Sequence, residues 1–221
     1  ALNYYTNEEI TIPLDNTLTP IENANKYFAR YNKLKRTYEA GTRLIAEIKD
    51  EIMYLESIIN ALDIATTEND LNNIKEELAV TGYIKKSGKS KNKGNSHNKP
   101  MHYISSDGFD MYVGKNNIQN DELTFKFATG GDWWFHAKQM PGSHVIVKSD
   151  GRELPDKTYE EAAALAAYYS KGRDLEKVEV DYVLKKEVKK PAGAKPGFVV
   201  YYTNYSLIAI ADISGIKLVS E

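Results

Sequence analysis

The spacing of apolar residues in the first third of the chain predicts one long amphipathic helix. Its start is marked by Thr19, Pro20 and Glu22, which fit an N-cap, a first-turn proline and a capping-box acid. From there apolar positions recur in steps of three and four, as in the heptad seam of a coiled coil. A helix over residues 20–62 would be roughly 63 Å long at about 1.5 Å per residue. The seam consists of Ala24, Tyr27, Tyr31, Leu34, Tyr38, Gly41, Ile45, Ile48, Ile52, Leu55, Ile59 and Leu62.

A seam of this length must pack on another helix, and the chain supplies only part of that partner. Residues 67–80 predict a second helix with Leu71, Ile74 and Leu78 on one face, which would cover about a third of the seam. The first residue is alanine rather than methionine, which indicates that the sequence begins inside a longer protein. We therefore expect the remaining seam to pack on a preceding segment of the intact protein. In this chain alone we expect either a homodimer through residues 24–62 or an exposed seam.

The pattern changes after the second helix. Residues 85–100 are rich in lysine, glycine, serine and asparagine and contain no apolar side chain that could anchor them. Such a segment cannot offset the entropy lost on ordering, so we predict a mobile linker and a domain boundary there.

Alternation of apolar and polar residues predicts a series of short strands from Met101 onward. Turn residues separate the runs MHYIS, FDMYVG, LTFKFA, WWFHA and HVIVK. Thr158 and Glu161 then have capping-box spacing and predict a helix that continues to Lys171. Three further strands are predicted over residues 178–188, 198–203 and 207–213, and an earlier strand or extended arm over residues 8–14.

These elements together predict an α+β fold. It consists of a helical coiled-coil region at residues 1–84, the linker at residues 85–100, and an antiparallel-sheet domain with one main helix at residues 101–221.

Composition narrows the class of protein. Apolar residues make up 42% of the chain and charged residues 27%, which is ordinary for a globular protein. No run approaches the roughly 18 apolar residues of a membrane span, so we expect no membrane insertion. The absence of cysteine excludes disulfides, thiolate zinc sites and cysteine nucleophiles, and it suits a reducing compartment.

The net charge of −2 conceals an uneven distribution. Residues 1–80 carry an excess of six acidic charges, and residues 81–221 an excess of four basic charges. The basic charges are concentrated in two lysine clusters, at residues 85–99 and 185–195. Local lysine clusters on a nearly neutral chain favour a polyanionic partner.

An amide-rich loop, Gly114–Asp121, is the first candidate binding motif. Asparagine tolerates left-handed backbone and hydrogen-bonds its own turn, so one interpretation is a well-capped loop. Amide side chains also carry both a donor and an acceptor, which allows them to contact base edges or sugars of RNA. Five amide or acid side chains exceed the needs of one turn, which favours recognition: Asn116, Asn117, Gln119, Asn120 and Asp121.

Adjacent tryptophans and two histidines follow. One of Trp133 and Trp134 should point out of the core, because neighbouring strand residues face opposite sides, and an exposed ring could stack on a nucleobase. The alternative is that both rings are buried packing. His136 and His144 lack the further ligands of a metal centre, which favours structural or RNA-contacting imidazoles and no metal.

No catalytic residue or cofactor site emerges. Ser143 and His144 are adjacent in a strand, where side chains point apart, and no nucleophile elbow is present. The loop at residues 189–197 is basic and contains glycine, but it lacks the ending of a nucleotide-binding loop. It is either a solvated turn or a phosphate contact through Lys190 and Lys195.

Several motifs in order resemble the C-terminal domain of the NFACT family. They are GKNNIQNDELTFKFA, DWWFHAKQMPGSHVIV, EAAALAAYYSKGR and KKPAGAKPG, and the upstream PLDNTLTPIENANKYFARYNKLKR and YLESI resemble the family's coiled-coil and middle region. The resemblance implies an RNA-binding domain that contacts rRNA or tRNA. It further implies a whole protein that binds large ribosomal subunits obstructed by peptidyl-tRNA and recruits alanyl-tRNA to extend the stalled chain.

The resemblance also has limits. The family's N-terminal domain, which recruits tRNA, is absent from this sequence, so we expect binding and no elongation. Family members usually carry arginine where this chain has Lys115, which retains the charge but lacks the two-pronged donor geometry. The expected RNA-contacting residues are Lys115, Asn116, Asn117, Gln119, Asn120, Asp121, Asp132, Trp133, His136, His144, Lys190 and Lys195.

The same resemblance leaves a second class open. Bacterial members are also described as fibronectin-binding proteins, so the alternative is an adhesin at the bacterial cell surface rather than a cytoplasmic RNA-binding factor. An edge strand at residues 8–14 could accept a strand from such a protein partner.

Overall fold

A single uninterrupted helix, α1, runs from Pro20–Ile64 and dominates the first part of the chain. The computed structural model describes residues 1–85 and 99–220. These residues pack as two compact units, Ala1–Glu51 and Ile52–Glu221, and α1 contributes to both. Most of the predicted linker at residues 85–100 lies outside the described residues, so that linker stays a prediction.

The start of α1 confirms the capping box. The Thr19 backbone N–H donates to Glu22 Oε2 at 2.7 Å, and the Glu22 N–H donates to Thr19 Oγ1 at 3.3 Å. In the next turn the buried amide of Asn23 donates to the backbone oxygens of Asp15 and Leu18, which holds the preceding loop against the helix. Of the two alternatives for residues 8–14, the strand is wrong and the extended arm remains, because the segment's only strand pairing among the described residues is an isolated bridge between Glu9 and Leu2.

The predicted seam remains open along α1. Tyr31, Leu34, Tyr38 and Ile45 are each more than half exposed in the first unit. This fits one of the two expected states of the chain alone, and homodimerisation through residues 24–62 stays a prediction.

The second helix, α2 (Glu68–Val80), begins at a capping box formed by Thr67 and Asp70. It packs on the face of α1 that carries Tyr54, Ile58 and Ala61. The prediction that α2 would cover the heptad seam is therefore wrong, and Leu71 is half exposed. The face that α2 covers carries the Tyr54 hydroxyl, which donates to the buried Glu77 of α2, as described below.

The second unit is built on one antiparallel sheet of seven strands in the order β6-β5-β3-β4-β2-β1-β7. The α+β class is thereby confirmed. The strands are β1 (Met101–Ile104), β2 (Asp110–Val113), β3 (Trp133–Ala137), β4 (Val145–Val147), β5 (Val178–Leu184), β6 (Tyr205–Ala209) and β7 (Lys217–Ser220). The same domain contains α3 (Asn117–Glu122), a π-helical turn at Leu123–Phe127, α4 (Asp156–Tyr168) and a 3₁₀ turn at Lys185–Glu187. None of the helices in the described ranges is long and apolar enough to cross a membrane.

Each face of the sheet carries its own apolar layer. On one face α4 covers Met111, Phe135 and Val180 in the larger core. On the other face Trp134, Ile146 and Val183 form a smaller core with Leu123. Successive residues of β3 alternate between the two layers, which places Trp133 on the α4 face and Trp134 on the opposite face.

The run LTFKFA is not a strand. Leu123–Phe127 forms a π-helical turn, in which the Ala128 N–H donates to the Leu123 oxygen at 2.9 Å. The preceding helix α3 continues directly into this turn, so Leu123 is buried on the sheet instead of alternating along it. The alternating pattern was misleading because a single wide helical turn also brings Leu123 and Ala128 to one side.

The remaining wrong predictions concern the N-terminal cap of α4 and two strands near the end of the chain. Thr158 is not an N-cap, because α4 starts after Pro155, and its buried hydroxyl instead donates to Asp107 at 2.8 Å. Glu161 accepts from the Ser106 N–H at 2.8 Å, so both residues fix α4 to the β1–β2 turn. The segment predicted as a strand at 198–203 makes only one bridge, between Lys189 and Val200. Strand β7 was not predicted at all.

Candidate nucleic-acid interface

The amide-rich motif after β2 first organises its own turn. Asn116 is the N-cap of α3, and its Oδ1 accepts the Gln119 N–H at 2.9 Å. The Gln119 side chain in turn accepts the Lys115 N–H at 2.7 Å. Both amides are buried, so this part of the motif satisfies backbone donors at the start of a short helix.

Asn120 connects the motif to the loop before β4. Its Oδ1 accepts the His144 N–H at 3.0 Å. A Cβ on Gly114 would lie 2.1 Å from the same oxygen, so only glycine fits beside this side chain. The glycine that opens the motif is therefore required by a side chain six residues further along the chain.

Asn117 joins the sheet to the helical hairpin. Its Nδ2 donates to Ser57 Oγ at 2.7 Å and to Glu77 Oε1 at 2.9 Å. The Tyr54 hydroxyl donates to the same Glu77 oxygen at 3.0 Å. Glu77 is fully buried, and that burial raises the pKa of its carboxyl group. We call Tyr54, Ser57, Glu77 and Asn117 the polar joint.

The lysines of the motif and of the 189–197 loop are also engaged within the chain. Lys115 Nζ lies 3.7 Å from Asp70 Oδ1, and both side chains are buried. Lys190 forms an ion pair with Asp121, whose other carboxylate oxygen accepts the Gly197 N–H at 3.2 Å. Lys195 donates to the Tyr83 hydroxyl at 2.9 Å and lies 4.5 Å from the centre of the Tyr54 ring. Lys195 therefore contacts Tyr54 of the polar joint, and Asp121 holds the same loop through Lys190 and Gly197.

Asp132 organises the turn before β3. Its buried carboxylate accepts the Thr129 N–H at 2.7 Å and pairs with Lys148. Burial alone would raise the pKa of Asp132, but the hydrogen bonds from Lys148 and Thr129 outweigh it and leave that pKa lowered. The Asp132 carbonyl also accepts the Lys185 N–H at 2.8 Å, so one residue positions two lysines.

The two histidines lie beside Trp134: the partly buried His136 ring stacks on it, and the buried His144 ring meets it edge-on. The His136 and His144 rings lie 5.5 Å apart, and Thr124 Oγ1 is 2.8 Å from His144 Nδ1. Burial lowers the pKa of His136 to about 4 and holds the pKa of His144 well below its ordinary value. Both imidazoles are therefore neutral at neutral pH. Within residues 1–85 and 99–220, no three potential ligand side chains converge as a metal site would require.

The predicted RNA-contacting residues differ in how exposed their side chains are. Most are buried and already paired within the chain, including Asn116, Asn117, Gln119, Asn120 and His144. Trp133 is the partly exposed member of the tryptophan pair, whereas Trp134 is fully buried. Direct contact of any of these residues with RNA stays a prediction.

A surface that the sequence did not single out has the character of a nucleic-acid interface. The His102 ring stacks on Tyr112 with centroids 4.6 Å apart, and the Phe127 ring meets Tyr112 edge-on at 4.7 Å. Phe127 is 45% exposed although it is aromatic. The π-helical turn holds its ring outside the smaller core, where a base could stack on it.

Lysines surround these rings. Lys148 Nζ lies 5.2 Å from the Phe127 centroid, and Lys185 Nζ lies 5.7 Å from the Phe125 centroid. Lys126 is mostly exposed and pairs only at its tip with Glu122. We call this surface the aromatic–basic strip; it consists of His102, Tyr112, Phe125, Lys126, Phe127, Lys148 and Lys185, and we include the exposed Lys186, which follows Lys185 in the 3₁₀ turn. The sequence feature that indicates this surface is the alternation of Phe125, Lys126 and Phe127. The same alternation is typical of a strand, which is what the sequence predicts there.

Family models match nearly the whole chain. The model described as NFACT N-terminal and middle domains matches residues 1–97, and the model described as NFACT protein RNA binding domain matches residues 99–203. The aromatic–basic strip lies entirely within the second match.

Individual relatives agree with these matches. A Streptococcus suis protein called Rqc2 homolog RqcH is 47% identical over 200 residues, which cover 90% of this chain and 36% of that protein. A Bacillus subtilis protein of the same name is 41% identical over 216 residues, which cover 96% of this chain and 37% of that protein. The chain therefore spans little more than a third of the length of these relatives.

A solved structure is similar along most of its length. It is described as the C-terminal of the fibronectin/fibrinogen-binding protein from Streptococcus suis, and it shares 43% sequence identity and a TM-score of 0.78 with this chain. The match covers 89% of this chain and 78% of that one.

Proposed function

This chain belongs to the NFACT family, and from that membership we propose that its sheet domain binds RNA through the aromatic–basic strip. The observation that carries the proposal is the exposed Phe127 ring between Tyr112 and Lys148. Base stacking on an aromatic ring contributes about 1–3 kcal/mol per base, and it tolerates any base. Neighbouring lysines add phosphate contacts, which weaken steeply as salt rises.

The strip suits unpaired RNA better than a duplex. Side chains cannot reach the bases of an A-form helix through its deep major groove, whereas the bases of loops and bulges are open to stacking. A row of aromatic rings with lysines between them matches that arrangement. The domain therefore acts as a binding module for single-stranded segments of rRNA or tRNA.

For the whole protein we propose a role in ribosome-associated quality control in the cytoplasm. The family resemblance supports binding to large ribosomal subunits that carry stalled peptidyl-tRNA and recruitment of alanyl-tRNA by the intact protein. This chain contributes RNA binding and carries out no chemistry of its own in that proposal.

The test compares RNA affinity between strip variants and matched surface variants. Phe127→Ala should weaken binding of a fluorescein-labelled rRNA loop about 5- to 150-fold, which corresponds to roughly 1–3 kcal/mol. Removing Lys126 and Lys186 together should also reduce the dependence of log affinity on log salt by about 0.7 per lysine. Tyr202→Ala and Lys177→Ala are the controls, because both residues are exposed and lie outside the strip.

The result would contradict the proposal if Phe127→Ala and Tyr202→Ala bound RNA equally well. Co-sedimentation of this chain with large ribosomal subunits then tests whether the sheet domain contributes to ribosome binding in the absence of the rest of the protein. In that assay Phe127→Ala should reduce recovery of the chain with the subunit, and Tyr202→Ala should not.

A fibronectin-binding adhesin is the second candidate, because the solved relative from Streptococcus suis is described by that activity. The two candidates differ in their response to salt. RNA binding should fall steeply between 50 and 200 mM salt, since phosphate contacts release counterions. Binding to immobilised fibronectin at physiological salt, together with no binding to RNA, would favour the adhesin.

A further inference from the structure

A second surface of the sheet domain has a different chemistry from the aromatic–basic strip. On the α4 face, the Trp133 ring lies 5.2 Å from Tyr159, 5.8 Å from Tyr182 and 6.5 Å from Tyr205, measured between centroids. The rings border an open groove of about 550 Å³. We call it the aromatic–acidic groove; its lining consists of Trp133, Asp156, Tyr159, Glu160, Tyr182, Tyr205, Leu207 and Ile208.

The charge of this groove is opposite to that of the strip. Its lining contains the carboxylates of Asp156 and Glu160 and neither lysine nor arginine. Lys157 at the rim pairs with Glu160 at 3.2 Å, but both side chains are more than 60% exposed and exchange readily with other partners. Burial raises the pKa of Tyr159 to about 12, and the nearby carboxylates of Glu153 and Asp156 contribute to that rise. Negative charge therefore lies beside the rings in the lining of the groove itself.

The groove runs beside the outermost strand of the sheet. Strand β6 pairs with β5 on one side, and among the described residues no strand pairs with its other side. Along this edge Tyr205 is 61% exposed and Ile208 is 68% exposed. An extended peptide can add to such an edge through backbone hydrogen bonds, and alternate side chains would then face the groove.

We propose that the aromatic–acidic groove binds a lysine or arginine side chain of a basic, extended protein segment that pairs with β6. The faces of tryptophan and tyrosine rings attract cations, and carboxylates beside them strengthen that attraction. The same carboxylates repel RNA phosphates, so the groove selects a protein partner and not a nucleic acid. Trp133 accordingly contacts a cation in this proposal rather than a nucleobase.

The probe is an eight-residue peptide of alternating arginine and threonine, titrated into the 221-residue chain by calorimetry. The matched peptide replaces each arginine with citrulline, which keeps the shape and removes the charge. We expect the arginine peptide to bind at least tenfold more tightly than the citrulline peptide. A third peptide with proline in place of threonine lacks the backbone N–H donor at every second residue and cannot form a regular ladder along β6, so it should also bind at least tenfold more weakly.

Variants locate the binding. Tyr205→Ala and Glu160→Gln change exposed side chains of the groove, so each should fold and weaken the arginine peptide at least fivefold. Tyr202→Ala is the control, because it removes a ring that is 83% exposed and lies outside the lining. Equal affinity for the citrulline peptide, or unchanged affinity in both groove variants, would overturn the proposal. Displacement of the peptide from wild type by oligouridylate, but not from Tyr205→Ala, would assign the groove to RNA and overturn it as well.

Discussion

At the scale of single residues, Glu77 shows why a buried carboxylate can be essential without being catalytic. Its Oε1 accepts two hydrogen bonds, from Tyr54 and Asn117, while its Oε2 has no hydrogen-bond partner among the described residues. The carboxylate therefore satisfies donors from two other segments although its own burial is unfavourable. Loss of one member of such a cluster leaves the others buried and unpaired.

We predict that Glu77→Ala destabilises the chain through its former partners. The Asn117 amide would lose the acceptor of one N–H group, at a cost of roughly 1–3 kcal/mol, whereas the Tyr54 hydroxyl keeps Thr81 Oγ1 as an acceptor at 3.2 Å. Glu77→Gln keeps an acceptor oxygen and should lose less. Urea unfolding measures the difference, with Glu76→Ala as the control because Glu76 is the exposed neighbour on the same helix. A Glu77→Ala variant as stable as Glu76→Ala would contradict the role of the polar joint.

His136 predicts how the stability of the folded chain depends on pH. Burial lowers the pKa of His136 to about 4, below the ordinary value of 6.5, so the unfolded chain binds more protons than the folded chain between those values. Stability is then fully present above pH 6.5 and is lost as the pH falls toward 4, by up to about 1.4 kcal/mol per pH unit. His136→Gln should flatten this slope in urea titrations at pH 7, 6 and 5.

In the same experiment, the contribution of Glu77 to stability should change with pH in the opposite direction. Its folded pKa is raised, so the folded chain binds the extra proton, and wild type should gain stability relative to Glu77→Gln as the pH falls. If both variants changed the pH dependence of stability in the same direction, burial would be excluded as the cause for one of the two groups.

The sequence identifies the amide-rich motif but not the partners of its side chains within the chain, for a physical reason. The types of side chain indicate donors and acceptors, and they do not indicate where those groups are satisfied. Asn117 pairs with Glu77, 40 residues away, and Lys115 pairs with Asp70. Such partners become visible only when α2 is placed beside the sheet.

At the scale of elements, predictions succeeded where the signal was local. The bounds of α1 and its N-terminal capping box depend on residues within one turn, and they were close to correct. The face on which α2 packs and the existence of β7 depend on residues far away in sequence, and both were missed. The strand order could not be inferred for the same reason.

The loop at residues 189–197 illustrates a non-local demand on one element. Gly197 has φ +79°, and a Cβ there would lie 2.5 Å from Asn117 Oδ1. The loop must therefore approach the polar joint with a residue that has no side chain.

We predict that Gly197→Ala is more destabilising than Gly193→Ala. Gly193 also has positive φ, at +75°, but a Cβ there has nothing within 4 Å. Both variants should bear the strain of left-handed backbone, roughly 1–2 kcal/mol, and only Gly197→Ala must also displace Asn117. The difference between the two variants in free energy of unfolding, measured by heat or urea, gives the cost of displacing Asn117. Equal losses of stability would argue against that contact.

At the scale of the whole molecule, the sheet separates two surfaces of opposite charge. The aromatic–basic strip lies on the face of Trp134, and the aromatic–acidic groove lies on the face of Trp133 and α4. Alternation along β3 is the cause, because adjacent tryptophans cannot share a face. A near-neutral chain can therefore present a surface suited to a polyanion and another suited to a polycation.

This separation predicts independent binding of the two proposed partners. Phe127→Ala should weaken RNA and leave affinity for the arginine peptide within twofold, and Tyr205→Ala should do the reverse. The double variant should show the sum of the single effects on each ligand, since distant sites without shared partners are additive within about 0.5 kcal/mol. Anisotropy with labelled RNA and calorimetry with the peptide measure all four proteins. Loss of both ligands in either single variant would mean that one surface binds both, because an intact opposite face has no physical reason to lose its own ligand.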